Sequence, residues 1–157
     1  MIAVIALDPV DHRILGVLQE EGRIPIAELA ERVGLSVSPC WRRVRQMEEW
    51  GVILGYAARV DPAALGIGFT AFVLVSIDLH KAPEFEASLL GRGEVVECHA
   101  IAGDQDYLLH VKVADMEAFD RFLRAELIKM PGVERMRTSF ALKAIKPAQR
   151  PAPGKAS

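Results

Sequence analysis

The sequence is poor in the residues and patterns that several classes of protein require. It has only 2 cysteines, Cys40 and Cys98, which form neither a disulfide framework nor the spacing of a metal site. The apolar start of the chain, residues 1–7, is too short to span a membrane, and no basic region or cleavage site accompanies it. The 4 histidines lack metal-ligand spacing, and no glycine-rich phosphate loop is present. We therefore expect no metal, no cofactor, no catalytic residues and no membrane partner, and a reducing cytoplasm as the location.

A large net charge is also absent, because 19 basic and 21 acidic residues leave a formal charge of −2 at pH 7. No overall field attracts the protein to nucleic acid, so any such affinity must come from a local cluster of basic residues. Hydrophobic residues make up 51% of the 157 residues, which is typical of a packed globular chain with one sizeable domain or two small ones.

Residues 24–51 are the most informative segment, because they predict two helices separated by a sharp turn. Gly34 would end the first helix in a left-handed conformation, and Ser36 would cap the second with its hydroxyl group. Pro39 would lie in the first turn of that helix, where a missing N–H costs nothing. The apolar positions follow helical spacing. They are Ile26, Leu29, Ala30 and Val33 in the first helix, and Val37, Cys40, Val44 and Met47 in the second.

The second of these helices also has a polar face, formed by Ser38, Arg42 and Arg45. A short helix, a tight turn and a capped helix with this face match a DNA-reading helix-turn-helix. The two arginines can each contact a guanine edge, worth about 1–3 kcal/mol of discrimination, and Arg43 is better placed for a phosphate. The alternative is a solvated face, on which Arg45 pairs with a glutamate three or four residues later. We expect Trp41 to pack rather than to stack on a base. The predicted DNA-binding residues are Ser36, Ser38, Pro39, Trp41, Arg42, Arg43, Arg45 and Gln46.

Three helices would form a winged-type helix-turn-helix domain over residues 1–52, with Asp8 as the N-cap of the first. After it, residues 54–60 alternate in the manner of a strand, which Asp61-Pro62 should terminate. A lone strand needs a partner, so we expect it to pair with the same strand of a second subunit, within a hinge and linker over residues 53–66.

The remaining chain, residues 67–146, alternates strands and helices in the order β-α-β-β-α-β, and a proline-rich tail over 147–157 should be disordered. Two βαβ units joined in this way predict an α+β ferredoxin-like sandwich, with both helices on one face of the sheet. The central strand is apolar on both sides, so a second copy, sheet against sheet, would cover the bare face. The predicted elements are strand Phe69–Asp78, helix Glu84–Leu90, strand Glu94–Ala102, strand Tyr107–Val113, a helix capped by Asp115, and strand Val133–Ala144.

An ordered set of short segments makes the chain closely similar to the Lrp/AsnC (feast/famine) transcriptional regulators. The segments include Leu7-Asp8, Gly22-Arg23-Ile24, Val33-Gly34-Leu35-Ser36, Pro39-Cys40, Gly51-Val52-Ile53, Gly55-Tyr56, Leu65-Gly66, Gly103-Asp104 and Pro131-Gly132-Val133. The resemblance extends to Lys146. It implies an N-terminal helix-turn-helix, a hinge strand, and a C-terminal ligand-responsive domain that dimerises and often builds octamers. We therefore expect a sequence-specific regulator that binds double-stranded DNA and responds to a small effector, such as an amino acid.

The resemblance also implies an effector cleft between subunits, bordered by the loop that ends at Tyr107. Two aspartates of the loop would hold an ammonium group, and two hydroxyl residues of the last strand would help to hold a carboxylate. The alternatives are an ordinary hairpin loop and a structural role for His99. The predicted effector-binding residues are Glu97 and His99 on one strand, Gly103, Asp104, Gln105, Asp106 and Tyr107 in the loop, and Thr138 and Ser139 on the last strand.

Four residues depart from the usual family pattern, and two other functions stay open. Trp41 and Arg42 differ from the common residues of the reading helix, so the operator sequence is not implied. His99 and Gln105 differ at the effector cleft, so the effector is not implied either. One alternative is a tetrapyrrole (sirohaem) decarboxylase-like enzyme on the same fold, which three arginines on the reading helix and the lack of an extra histidine cluster disfavour. The other is an architectural DNA-binding protein with little base preference.

Overall fold

The computed structural model describes residues 6–145, so the predictions for residues 1–5 and for the tail over 147–157 lie outside the described residues. The chain divides into two compact units, with the boundary between Arg59 and Val60. Within residues 6–145, no helix is long and apolar enough to cross a membrane.

The N-terminal unit consists of the helices α1 (Pro9–Glu20), α2 (Ile26–Val33) and α3 (Val37–Glu49). A capping box starts α1, because the Asp8 carboxylate accepts from the N–H of Asp11 while the Asp11 carboxylate accepts from the N–H of Asp8. Gly34 ends α2 at φ 74°, the left-handed conformation that glycine adopts without a steric cost. The predicted helix–turn–helix is thus present, with the turn that its glycine indicates.

A shared apolar core holds these three helices together, but two local predictions are wrong. Val37 is 46% exposed rather than buried, because it lies outside the stripe that faces α1 and α2. Ser36 is the N-cap residue of α3, yet its side chain makes no capping hydrogen bond. The buried core consists of Ile14, Leu18, Ile24, Leu29, Ala30, Val33, Cys40, Val44 and Met47.

The C-terminal unit has the predicted order β-α-β-β-α-β. Its sheet has the strand order β2-β3-β1-β4, and every neighbouring pair is antiparallel, as in a ferredoxin-like sandwich. The last strand is shorter than predicted and ends at Phe140, which pairs with Ala71 close to the start of β1. The N–H of Ala141 still donates to the carbonyl of Thr70 over 3.0 Å, and the pairing with β1 ends there. The elements are β1 (Phe69–Ile77), α4 (Ala82–Leu89), β2 (Val95–Ala100), β3 (Tyr107–Val113), α5 (Met116–Ala125) and β4 (Val133–Phe140).

The register of the strands separates the sheet into two faces. Alternate residues of β1 and β3, such as Val73 and Leu109, are buried against α4 and α5, and we call this side the helix face. Residues between them point the other way, and Phe72 there is 39% exposed. We call this side the open face. From the register, its residues are Thr70, Phe72, Leu74, Ser76, Glu97, His99, Leu108, His110, Lys112, Arg135, Arg137 and Ser139.

Residues 54–60, predicted as a hinge strand, form neither helix nor strand in the single chain. The alternation of their side chains favours a strand, but a strand also needs a hydrogen-bonded neighbour, and none lies beside this segment among the described residues. Its apolar side chains are exposed, with Leu54 at 94% and Val60 at 56%. Tyr56 is held within the N-terminal unit, since its hydroxyl donates to Glu48 Oε1 over 3.0 Å.

Candidate functional site

The packing of α3 decides which of its residues face solvent. The stripe Cys40, Val44 and Met47 is buried, so the opposite side of the helix points outward. Ser38, Arg42 and Gln46 are exposed on that side, Ser36 is exposed at its N-cap, and Pro39 is half-buried in the first turn. The predicted reading face is therefore on the surface.

Two arginines of this face are free for a ligand. Arg42 has no carboxylate partner among the described residues. Arg45 pairs with Glu48, as the alternative interpretation expected, but the Nη1–Oε2 distance of 3.4 Å and the exposure of the Arg45 side chain make this contact weak. Both guanidinium groups can therefore turn to the edge of a base.

Arg43 was predicted to contact a phosphate, and the structure engages it elsewhere. Its Nη1 donates to Asp8 Oδ2 and to Asp11 Oδ1, each over 2.7 Å. The hydrogen bonds that Arg43 donates to these two carboxylates raise its pKa, and the Asp11 side chain is only 10% exposed. This arginine therefore joins the reading helix to the start of α1, which positions α3 within the unit.

Trp41 was expected to pack, yet it is 56% exposed. Its position beside the buried stripe leaves the indole outside the core, where the guanidinium of Arg45 lies 6.0 Å from the ring centroid. The two side chains are one helical turn apart and form a cation–π contact. Trp41 thus belongs to the surface of the reading helix.

The loop between β2 and β3 contains both exposed and structural residues. Gly103 adopts φ 152°, a conformation that L side chains rarely take, and Asp104 beside it is exposed. Asp106, predicted to bind an ammonium group, instead accepts from the N–H of Ile77 over 2.9 Å, and its own N–H donates to the carbonyl of Val75. Its carboxylate therefore closes the end of β1 rather than facing a ligand.

Tyr107 was predicted to line the effector cleft, but its side chain is on the helix face. It is 5% exposed, and its hydroxyl donates to Glu86 Oε1 over 2.6 Å. This hydrogen bond, together with burial, raises the pKa of Tyr107 to about 12. The residue therefore fixes α4 on the sheet, on the side opposite to Glu97 and His99.

Thr138 and Ser139 cannot both hold one carboxylate, because neighbouring residues of a strand point to opposite faces. Thr138 pairs with Val73 and shares its helix face, whereas Ser139 pairs with Phe72 and lies on the open face. Of the two hydroxyl residues, Ser139 is therefore the one on the open face.

A cleft of about 440 Å³ lies at one end of the open face. It contains Asp104 and Gln105 of the predicted loop together with two arginines, Arg135 and Arg137, that the sequence analysis missed. A signal was present in β4, where Arg135, Arg137 and Ser139 recur at every second position. The cleft is lined by Leu74, Ser76, Asp104, Gln105, Arg135, Met136 and Arg137.

Glu97 and His99 lie on β2 and meet a further histidine on the open face. Glu97 Oε2 is 3.5 Å from His99 Nε2 and 3.7 Å from His110 Nδ1, while the His110 ring stacks on Phe72 at 4.8 Å. Neither histidine lines the cleft with the arginines. No group of three metal-ligating side chains that could hold an ion occurs in the described part of the chain.

The volume of a cleft does not by itself identify the site. A larger cleft of about 650 Å³ is lined by residues that include Arg92, Lys112 and Arg121, and it contains none of the predicted effector-binding residues. In it, Arg92 already pairs with Glu126, which reduces the charge offered to a ligand. We therefore take the smaller cleft, which combines opposite charges with the predicted loop, as the candidate effector site.

Comparison with known proteins supports both units. Residues 7–53 match a family model of winged helix-turn-helix DNA-binding domains, and residues 70–151 match that of the Lrp/AsnC ligand binding domain. The leucine-responsive regulatory protein of Salmonella typhimurium is 40% identical over 148 residues, which cover 92% of this chain and 90% of that protein.

Solved structures agree with these matches. A transcriptional regulator from Neisseria meningitidis in complex with L-methionine has a TM-score of 0.86 at 43% identity, covering 90% of this chain and 93% of that one. A feast or famine regulatory protein from M. tuberculosis complexed with L-methionine has a TM-score of 0.86 at 35% identity, covering 94% of this chain and 100% of that one.

These likenesses extend over nearly the whole chain and confirm the family and the fold that the sequence predicts. The relatives are transcriptional regulators, and the outward arginines of α3 are what such a role needs. The chain belongs to the Lrp/AsnC family of DNA-binding transcriptional regulators.

Proposed function

We propose that this regulator acts in the cytoplasm, reads its operator with α3, and responds to an α-amino acid bound at the open-face cleft. Arg42 and Arg45 contact base edges in the major groove, while Ser38 and Gln46 contact bases or phosphates beside them. Support comes from the exposure of this face and from the lack, within residues 6–145, of a strong internal partner for either arginine.

One observation carries the choice of an amino acid, namely that the cleft combines two arginines with an aspartate. A guanidinium fork is suited to a carboxylate, and an exposed carboxylate is suited to an ammonium group. Arg135 and Arg137 would hold the carboxylate of the ligand, and Asp104 its ammonium. The relatives from N. meningitidis and M. tuberculosis, both in complex with L-methionine, are consistent with this ligand class.

The proposed functional protein is a dimer, or a larger assembly built from dimers. The open face carries the apolar side chains of Phe72, Leu74 and Leu108, which no helix of the C-terminal unit covers. Packing two such sheets together buries them, and pairing residues 54–60 with the same segment of the partner gives that segment its missing neighbour. A dimer, or a larger assembly built from dimers, also sums several modest DNA contacts on one duplex.

Regulation follows from linkage between the two sites. A ligand shifts the protein only if it binds one arrangement of the assembly more tightly than another. Because the proposed cleft lies on the open face, a bound amino acid would act on the packing of the dimer or of the larger assembly. The spacing of the paired reading helices along the duplex would change with it.

The first experiment is a DNA-binding titration with the purified full chain. The probes are the fragment upstream of the protein's own gene and a scrambled fragment of equal length, at one salt concentration, with and without L-methionine. Preference for the upstream fragment, altered by L-methionine or a pool of amino acids, supports the proposal. Equal affinity for both fragments favours the architectural alternative, and an absorption titration with a tetrapyrrole then tests the enzyme alternative.

Two arginine variants separate the cleft from general effects of charge. Arg137→Ala should abolish the response to the amino acid while leaving affinity for the upstream fragment intact. Arg124→Ala is the matched control, since Arg124 is an exposed arginine of α5 paired with Asp120 and lies outside the cleft. An unchanged response in Arg137→Ala would remove this cleft as the effector site, without affecting the DNA-reading role of α3.

A further inference from the structure

The reading helix carries an apolar patch that its packing does not explain. Val37 and Trp41 are 46% and 56% exposed, although Cys40 and Val44 between and after them are buried. The two exposed side chains are one turn apart at the start of α3, and the N-terminal residues of a recognition helix are those that reach base edges. Two large apolar groups therefore face the part of the groove where sequence is read.

The indole of Trp41 lies beside a cationic side chain. Arg45 lies on the next turn, and its guanidinium is 6.0 Å from the ring centroid. Its only other described partner is Glu48, at 3.4 Å. Two apolar side chains, Val37 and Trp41, are thus followed along the helix by a cationic one, Arg45. The indole ring limits the directions in which the guanidinium can point.

The major groove offers one group that suits such an apolar patch. Only thymine presents a methyl group at its major-groove edge, whereas guanine presents the two acceptors that arginine contacts best. One helical turn advances about 5.4 Å, between one and two base-pair steps of about 3.4 Å. We propose that Val37 and Trp41 contact the C5-methyl group of a thymine, and that Arg45, oriented by the indole, contacts a guanine next to it.

This inference rests on the proposal that α3 reads the operator, and it adds the base step that is read. Each half-site should contain a thymine beside a guanine. Trp41 is then a specificity-determining residue, and a variant with a smaller side chain at this position should have a weaker preference for that thymine.

The test begins with the full-length protein and a library of randomised duplexes, from which bound sequences are selected. Each enriched thymine is then replaced by deoxyuridine, which removes only the methyl group. At one position per half-site, the wild-type protein should bind the uracil duplex about fourfold more weakly, the value for one apolar carbon removed from the contact. Trp41→Ala should lose most of this difference, because only Val37 then contacts the methyl group, whereas Trp41→Phe should keep more of it.

Trp50→Ala is the matched control. Trp50 is also an exposed tryptophan, at 44%, but it is the C-cap residue of α3 and lies about two and a half turns beyond Trp41, on the opposite side of the helix. It should retain the full fourfold effect. Circular dichroism melts of all variants confirm that each is folded under the binding conditions.

Two results overturn the inference, and they differ in what else they affect. If sequences are enriched but the wild type is indifferent to the methyl group at every thymine, or Trp41→Ala keeps the effect, the thymine contact is wrong and the reading role of α3 stands. If no sequence is enriched at all, sequence-specific reading itself fails, and this inference fails with it.

Discussion

Replacing Arg43 by alanine removes two hydrogen bonds, each 2.7 Å long, from the carboxylates of Asp8 and Asp11. The Asp11 side chain is only 10% exposed, so the variant leaves a carboxylate with little access to water. Breaking a fully buried pair costs about 3–5 kcal/mol, and an exposed pair contributes about 0–1 kcal/mol. Since Arg43 itself is 33% exposed, we expect a loss of about 2 kcal/mol in the free energy of unfolding of the N-terminal unit.

Tryptophan fluorescence measures this unit alone. The chain has 2 tryptophans, Trp41 within α3 and Trp50 at its C-cap, so urea unfolding followed by their emission reports on the helices that Arg43 joins. Arg42→Ala is the matched control, because Arg42 is the preceding residue, exposed and without a carboxylate partner among the described residues. It should change the free energy of unfolding by less than about 0.5 kcal/mol.

Equal urea midpoints for Arg43→Ala and Arg42→Ala would refute the structural role of Arg43. A second readout separates that role from the phosphate contact that the sequence predicted. Under conditions where both proteins are folded, Arg43→Ala should keep the wild-type salt slope of DNA binding. A salt slope reduced by about one would instead support the predicted contact of Arg43 with a phosphate.

The same cluster sets an acid limit on this unit. The N–H of Asp11 and the guanidinium of Arg43 lower the pKa of Asp8 from 3.8. A carboxyl group whose pKa is lowered by folding contributes its full stability above the unfolded value, and this contribution is lost as the pH falls through the folded value. The urea concentration at the unfolding midpoint, followed by the same fluorescence, should therefore decrease in the wild type as the pH is lowered below about 3.8. It should decrease less steeply in Asp8→Asn.

Two further predictions concern groups in tight surroundings. The pKa of both tyrosines, Tyr56 and Tyr107, is raised to about 12, so absorbance at 295 nm should show little phenolate near pH 10. The stability of the fold should fall between pH 10 and 12, because the unfolded chain loses these protons first. A normal titration at pH 10 in the native protein would contradict both hydrogen bonds. Gly132→Ala should destabilise the C-terminal unit by about 1–3 kcal/mol more than Gly91→Ala. Both glycines have positive φ, but only at Gly132 would a Cβ meet another atom, at 2.9 Å, and equal melting temperatures in calorimetry would show that this contact relaxes freely.

Local patterns of the sequence were sufficient for most elements of the fold. The helices of the N-terminal unit follow from the spacing of residues such as Leu29 and Met47, and Gly34 marks the turn by its own conformational freedom. Partners far apart in the chain were not predictable in this way. Arg43 meets a carboxylate 35 residues earlier, and nothing in the sequence around either residue indicates that contact.

The candidate effector site shows a different limit. The family resemblance marked the loop around Asp104, but it could not tell that Asp106 is used by the backbone of β1 or that Tyr107 turns toward α4. The separation of Thr138 from Ser139 could have been predicted, because the alternation of a strand alone requires it. Residues 54–60 alternate in the manner of a strand, but a strand also needs a hydrogen-bonded neighbour, which the described part of the single chain does not place beside them.

The two faces of the sheet have different consequences for how such regulators diverge. On β1, β3 and β4, residues buried in the core, such as Val73, alternate with residues that do not contribute to the core, such as Arg137. A substitution at an exposed arginine of β4 should therefore cost little stability, while its buried neighbour in the strand stays fixed. If the proposed cleft binds the effector, copies of this chain can drift toward new effectors after gene duplication through substitutions of Arg135 and Arg137, without passing through unfolded intermediates.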